Sequence, residues 1–189
     1  MRNLKRYAAM LLALALSLGL LAGCSLVKEV SFRVAMGSVP ATLDPALVST
    51  DEEKIVVSHL FENLMKLSRG EDGSIQPVYA AAAVSGVARS YQCDATAEGQ
   101  ETYTFKLRSG AVWSDGTRVK AGDFVYAWKR LVDPATGSEN AGLLDMVAGY
   151  SAARAGNVEA LQVSAPDDDT FVVVLSGRCP YFVDSVCTA

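Results

Sequence analysis

Histidine is almost missing: a chain of 189 residues has one, His59. Any Ser-His-Asp, Cys-His or histidine-ligated metal chemistry would have to pass through that single ring. His59 falls inside an amphipathic helix pattern, not at a loop tip, and reads as a surface or core-edge histidine. The G-x-S-x-G, P-loop and H-E-x-x-H motifs are absent, and no two of the four cysteines stand at C-x-x-C spacing. Clusters of Lys and Arg are lacking too. With 17 basic against 21 acidic residues and a net charge of −4, the composition argues against a nucleic-acid partner. Asp115 and Asp123 could be taken for a carboxylate pair, but one sits in a turn and the other in the first turn of a helix, both common structural uses. Asp167–Asp169 lacks the glycine and glutamate of a calcium loop and reads as a solvated hairpin tip. No metal or cofactor is implied.

No apolar run is long enough to span a membrane. Arg2, Lys5 and Arg6 precede the uncharged stretch Ala8–Ala22. As a helix at about 1.5 Å per residue it reaches about 22 Å, short of a hydrocarbon core of roughly 30 Å. A basic start, a short apolar segment and small residues before a break have the form of an export signal. Leu21-Ala22-Gly23-Cys24 resembles the bacterial lipoprotein signal, which implies cleavage before Cys24 and diacylglycerol on its sulfur. Each buried methylene contributes about 0.8 kcal/mol and one acyl chain anchors only marginally, so the two or three chains implied would hold a soluble domain at a membrane face. Loss of residues 1–23 removes three positive charges and no acid, taking −4 to −7, so the anchor is lipid and not a basic surface. The expected location is the extracytoplasmic face of a cell membrane, at the cell surface or in the periplasm. Disulfides are permitted there, and Cys93, Cys179 and Cys187 remain, with their pairing open.

Beyond a tether at 24–29, Val30, Phe32 and Val34 alternate with polar or small residues, the period of a half-buried strand. Thr42-Leu43-Asp44-Pro45 breaks that pattern. Thr50 and Glu53 form a capping box, and Val56, Leu60, Leu64 and Leu67 recur at helical spacing. Arg69–Ser74 is a turn, and the Ala-rich Tyr79–Val87 stays unplaced. Thr102–Leu107 alternates as a strand, Trp113–Gly116 is a tight turn, and Ala121–Val132 is a helix stopped by Asp133-Pro134. Asp145–Leu161 reads as a helix interrupted near Gly156, and Leu161–Ala165 with Thr170–Leu175 as a hairpin. Strands and helices mix without βαβ regularity, so the class is α+β.

Three stretches carry a resemblance. Thr42-Leu43-Asp44-Pro45 is followed by His59-Leu60-Phe61-Glu62-Asn63-Leu64. Tyr103-Thr104-Phe105-Lys106-Leu107-Arg108 runs into Trp113-Ser114-Asp115-Gly116-Thr117, then Asp123–Arg130 and Asp133-Pro134. Asp169-Thr170 is followed by Pro180-Tyr181-Phe182. Their order and spacing are similar to those of the extracellular solute-binding family that serves peptide ABC transporters, the oligopeptide-binding proteins. The resemblance implies a class II periplasmic-binding-protein-like fold. In it two lobes close over a peptide whose backbone bonds like an added strand, and the loaded receptor docks on membrane permease subunits. It divides the chain into a lipoprotein signal at 1–23, the tether at 24–29, the start of a first lobe at 30–60 and an incomplete second lobe at 61–189. Ser49, Thr50 and Asp51 fall where the family offers an extended stretch to the peptide, and Asn140 stands where close relatives place a ligand-facing tyrosine. The family's Glu-Ser-Trp-like element is replaced by Ala-rich sequence at Ala81–Ser85. Family members continue well past Phe182, so an N-terminal fragment lacking one wall of the cleft is expected, with weak peptide binding by residues 25–189. Alternatives are a same-fold receptor for a dipeptide, nickel complex, haem or sugar, a surface lipoprotein hydrolase, and an adhesive lipoprotein.

Overall fold

The computed structural model describes residues 33–69, 75–78 and 86–186, without the side chains of 67–69, 75–78, 185 and 186. The export signal, Cys24, the tether, residues 79–85 and Cys187 lie outside the described residues. The chain divides into two compact units, residues 1–36 and 37–189. Of the first, Arg33–Met36 has no regular secondary structure. Of the strand expected over residues 30–35, the described part is therefore not a strand, and Val34 is half exposed.

The second unit opens with helix α1 (Asp51–Leu60), then a short antiparallel hairpin of β1 (Lys66–Arg69) and β2 (Ile75–Val78). Strands β3 (Ala88–Ala95) and β4 (Glu101–Leu107) follow, then helix α2 (Ala121–Val132), the short helix α3 (Tyr150–Arg154), strands β5 (Val163–Asp167) and β6 (Thr170–Val174), and helix α4 (Phe182–Val186). Among the described residues β3 to β6 form an antiparallel sheet in the order β3-β4-β6-β5. Mixed elements without parallel crossovers make the α+β class expected from the sequence.

Alternation along β4 builds the core. Glu101, Tyr103, Phe105 and Leu107 are buried while Thr102, Thr104 and Lys106 are half exposed, as a period of two requires. Opposite Phe105 lies Phe171 of β6, and α2 lays Phe124 and Trp128 on Phe171 at centroid distances of 5.7 and 5.2 Å. Phe182 closes the same face over Tyr103 at 4.6 Å. Helix α2 forms where its apolar period predicts. Asp123 caps it by accepting the Lys120 amide at 2.9 Å, and Asp133 ends it with an extended backbone.

Two expectations change. The apolar spacing that suggested helix as far as Leu67 overruns: α1 stops at Leu60, Phe61 is extended, and Leu64 turns into the sheet's core. The cause is backbone pairing, since the Asn63 and Leu64 carbonyls accept the Val87 and Ala88 amides at 2.9 and 2.8 Å. The region Asp145–Leu161 holds only α3 and a 3₁₀ turn at Val158–Ala160, because Gly149 and Gly156 take left-handed φ angles of 83° and 103°. Strand β3, over residues for which the sequence reading assigned no element, pairs with β4 along its length.

Candidate functional site

The residues singled out for ligand contact lie on one strap, residues 41–50, at the first residue of α1, Asp51, and on the loop after α2. Glu53 organises the strap. As the third residue of α1 it accepts the Thr50 amide at 3.1 Å while Thr50 Oγ1 accepts the Glu53 amide at 3.3 Å, which completes the capping box. Its carboxylate also accepts the Ser49 amide at 2.8 Å and the Ala41 amide at 3.1 Å, so both ends of the strap close on one side chain. Glu53 is 3% exposed, and these amides, Ser49 first and then Thr50, hold its pKa down at about 2.

Two further contacts tie the strap to α2 and the loop beyond it. Arg130 donates through both terminal nitrogens to the Asp44 carboxylate, at 2.7 and 2.5 Å. That fork lowers the Asp44 pKa and raises that of Arg130. The second tie comes from Asn140, whose side-chain amide donates to the Val48 carbonyl at 2.6 Å, across 92 positions of sequence. Asn140 is therefore brought to the residue that precedes the 49–51 stretch.

Hydrogen bonds within the protein already engage part of this backbone. The amides of Ser49 and Thr50 are taken by Glu53, the carbonyl of Val48 by Asn140, and that of Thr50 by the Lys54 amide. Facing solvent are the Ser49 hydroxyl, 3.4 Å from Glu53, and the exposed carboxylate of Asp51, the first residue of α1. Asp51 holds only a 3.8 Å ion pair with Lys54. Asn140 positions the strap, a role that a contact so distant in sequence hides from sequence reading. Glu53 was legible as a cap but not as the clasp that reaches back to Ala41.

The remaining motif residues build scaffold. Glu62 pairs with Arg108 and, at 2.8 Å, with Lys66. Asp115 accepts the Thr117 hydroxyl at 2.7 Å and its amide at 2.8 Å, which lowers its pKa. Asp123 accepts the Trp113 ring N–H at 3.3 Å. The acidic run is likewise spent: Asp167 accepts the Thr170 hydroxyl, Asp168 pairs with Lys120, and Asp169 with Arg118. His59 is exposed, and its Nδ1 donates to the Ile55 carbonyl of its own helix at 2.7 Å. The thiols of Cys93, exposed, and Cys179, buried, are both free. An open groove of about 590 Å³ beside α2 is lined by Tyr126, Lys129, Arg130, Asp133 and Glu159 among others. Both of its cations are already paired, Lys129 with Glu159 and Arg130 with Asp44.

Residues 82–187 match the model of the bacterial extracellular solute-binding proteins, family 5 middle region. This chain is a family 5 solute-binding protein. It is 37% identical over 165 residues to the periplasmic oligopeptide-binding protein OppA of Escherichia coli K12, covering 85% of this chain. Over the same length it is 36% identical to the probable deoxycholate-binding periplasmic protein YgiS of that organism. The chain spans about 28% of the length of these relatives. Among solved structures it superposes on the substrate-binding domain of a Bacillus anthracis oligopeptide ABC transporter with a TM-score of 0.66 and 32% identity, covering 77% of this chain and 26% of that one. The Haemophilus influenzae OppA complex with RPPGFSPFR gives 0.65 and 34%, covering 79% and 28%. The family 5 fold is of the class II periplasmic-binding-protein type, as the motifs implied. Its members are solute-binding receptors, so an enzymatic role is not the family's. Among the described residues of this chain, no helix is long and apolar enough to cross a membrane.

Proposed function

We propose that this chain supplies the lipid-anchored, amino-terminal part of an extracytoplasmic receptor that captures oligopeptides and delivers them to an ABC importer. The observation that carries the reading is the pre-set strap, held on a body that superposes on a peptide-loaded receptor over 79% of this chain. Residues 30–60 begin the first lobe and 61–189 belong to the second. Ser49 and Asp51 face the ligand, while Thr50 and Asn140 hold the presenting backbone in place. A strap fixed before binding need not be ordered on binding, and that saving raises affinity without any demand on peptide sequence. Cys24 carries the acyl chains that keep the receptor beside its permease.

A second reading is a bile-acid ligand, supported by 36% identity to the deoxycholate-binding relative over the same 165 residues. One experiment separates the two. Cells carrying the gene and a deletion strain take up a radiolabelled tripeptide or pentapeptide with and without excess deoxycholate. The peptide reading expects uptake to fall severalfold on deletion and to resist deoxycholate. Unchanged uptake refutes it, and competition by deoxycholate favours the bile-acid reading. For the anchor, labelled palmitate incorporates into the wild type and not into Cys24→Ala; equal labelling refutes lipidation at Cys24.

A further inference from the structure

Cys93 and Cys179 are distant in sequence but meet the same small group of side chains. Cys93 stands opposite Tyr103 in the β3–β4 register, and directly opposite residues share one face of a sheet. That face is the core side, since Tyr91, two residues before Cys93, packs its ring near Tyr103 and Phe105 at 5.9 and 5.7 Å. There the Cys93 thiol hydrogen-bonds the Tyr103 hydroxyl. Tyr103 in turn donates to Glu101 Oε2 at 3.4 Å, and the same carboxylate oxygen accepts the Cys179 amide at 3.1 Å. Burial first, and then the Cys93 thiol, push the Tyr103 pKa up, so the phenol keeps its proton and holds this bridge. Phe182 completes the cluster: its ring lies on Tyr103, and its amide donates to the Cys179 carbonyl at 3.0 Å.

The thiols are reduced and turned to different phenols, Cys93 to Tyr103 and Cys179 to Tyr181. A disulfide needs the two Cα atoms within about 7 Å. Residues 176–181, which carry Cys179, have no regular secondary structure, and Gly177 among them has open space around it. Strand β3 is an edge of the sheet, and Cys93 on it is exposed. We propose that Cys93 and Cys179 are a disulfide pair, closed when the 176–181 segment shifts and the Cys179 side chain turns from Tyr181 toward β3. The step is thiol–disulfide exchange with an extracytoplasmic oxidoreductase in its disulfide form. The exposed Cys93 thiolate attacks a sulfur of that donor and breaks its S–S bond, and the Cys179 thiolate then attacks the Cys93 sulfur of the mixed disulfide. One S–S bond breaks in the donor and one forms here, while the donor gains the two electrons and two protons that the thiols lose. The bond ties the edge strand β3 to the segment after β6. This inference rests on the extracytoplasmic location and not on the ligand.

For the test, the protein is purified from cells carrying the gene, reduced, and equilibrated with reduced and oxidised glutathione. Remaining thiols are alkylated and the digested chain is mapped by mass spectrometry. The expected result is a peptide pair joined through Cys93 and Cys179, lighter by two hydrogens than the separate thiol peptides, with Cys187 alkylated. Oxidation lowers alkylation of Cys93 severalfold, Cys179→Ser restores it, and Cys187→Ser does not. Because the linked pair is read on the unsubstituted protein, misfolding of Cys179→Ser leaves the answer intact. The proposal is overturned by a Cys93 that stays free, carries glutathione, or joins Cys187 or a second copy, and equally by a Cys179–Cys187 bond. Mapping after alkylation in intact cells reads the location separately: a bond that forms with glutathione but not in cells upholds the pair and counts against the extracytoplasmic location.

Discussion

Cutting the Asp44–Arg130 tie tests whether the strap is held in place or merely packed. Arg130→Gln removes the fork and its charge, while Asp44→Asn removes the negative charge and keeps an oxygen for the Ala46 amide, which Asp44 accepts at 3.1 Å. A desolvated charge-assisted pair is worth about 1.5–3 kcal/mol, and an exposed one about 0–1 kcal/mol. The two side chains are 28% and 34% exposed, so solvent screens part of the attraction. We expect a coupling of about 1–2 kcal/mol from the double-mutant cycle. Urea unfolding measures that coupling. Hydrogen exchange localises it: opening of the strap by Arg130→Gln raises exchange at the Leu47 amide, which bonds the Asp44 carbonyl at 3.0 Å, by about tenfold. The Phe105 amide in the sheet should change no more than global stability does. The lowered Asp44 pKa sets the pH window. The coupling is fully present above its ordinary value of 3.8 and fades as pH falls through the lowered one. A coupling below about 0.3 kcal/mol, or unchanged Leu47 exchange, would refute the reasoning.

Acid should act through Glu53 as well: the stabilisation it gives is complete above its ordinary pKa of 4.5 and lost as pH falls toward about 2. Unfolding midpoints followed from pH 6 to 2 should therefore drop more steeply for the wild type than for Glu53→Gln, and parallel curves would count against the clasp. Gly149→Ala combines a left-handed φ with a Cβ 1.8 Å from the Ala160 carbonyl oxygen, whereas Gly99→Ala meets a left-handed φ with open space around it. We expect denaturation to show a loss of about 2–5 kcal/mol for the first and about 1 kcal/mol for the second; equal losses would rule out the close approach. Phe171→Ala empties the site between Phe105, Phe124 and Trp128 and should cost about 3–5 kcal/mol, measured the same way; a loss under about 1 kcal/mol would mean that the α2–sheet contact is not the core.

Local signals in the sequence determined whatever depends on neighbours a few residues apart. The period of two in Thr102–Leu107 and the apolar face of Ala121–Val132 were sufficient for β4 and α2, and Thr50 with Glu53 marked the start of α1. Only tertiary structure decided the rest. Strand β3 lies at one side of the β3-β4-β6-β5 order with most of its side chains exposed, so it has no alternation to read, and its pairing with β4 makes it a strand. Leu64 has helical spacing from Leu60, but the amides of Val87 and Ala88 capture the local backbone and end the helix. At the candidate site, sequence marked Ser49–Asp51 and Asn140 as separate points. Folding joined them through an amide on Val48 and a carboxylate that spans the strap, and so made Asn140 a support for the strap. Hydrogen bonds between residues 12 and 92 positions apart leave no periodic trace in a chain. Their partners become neighbours only when a buried core draws the intervening chain together.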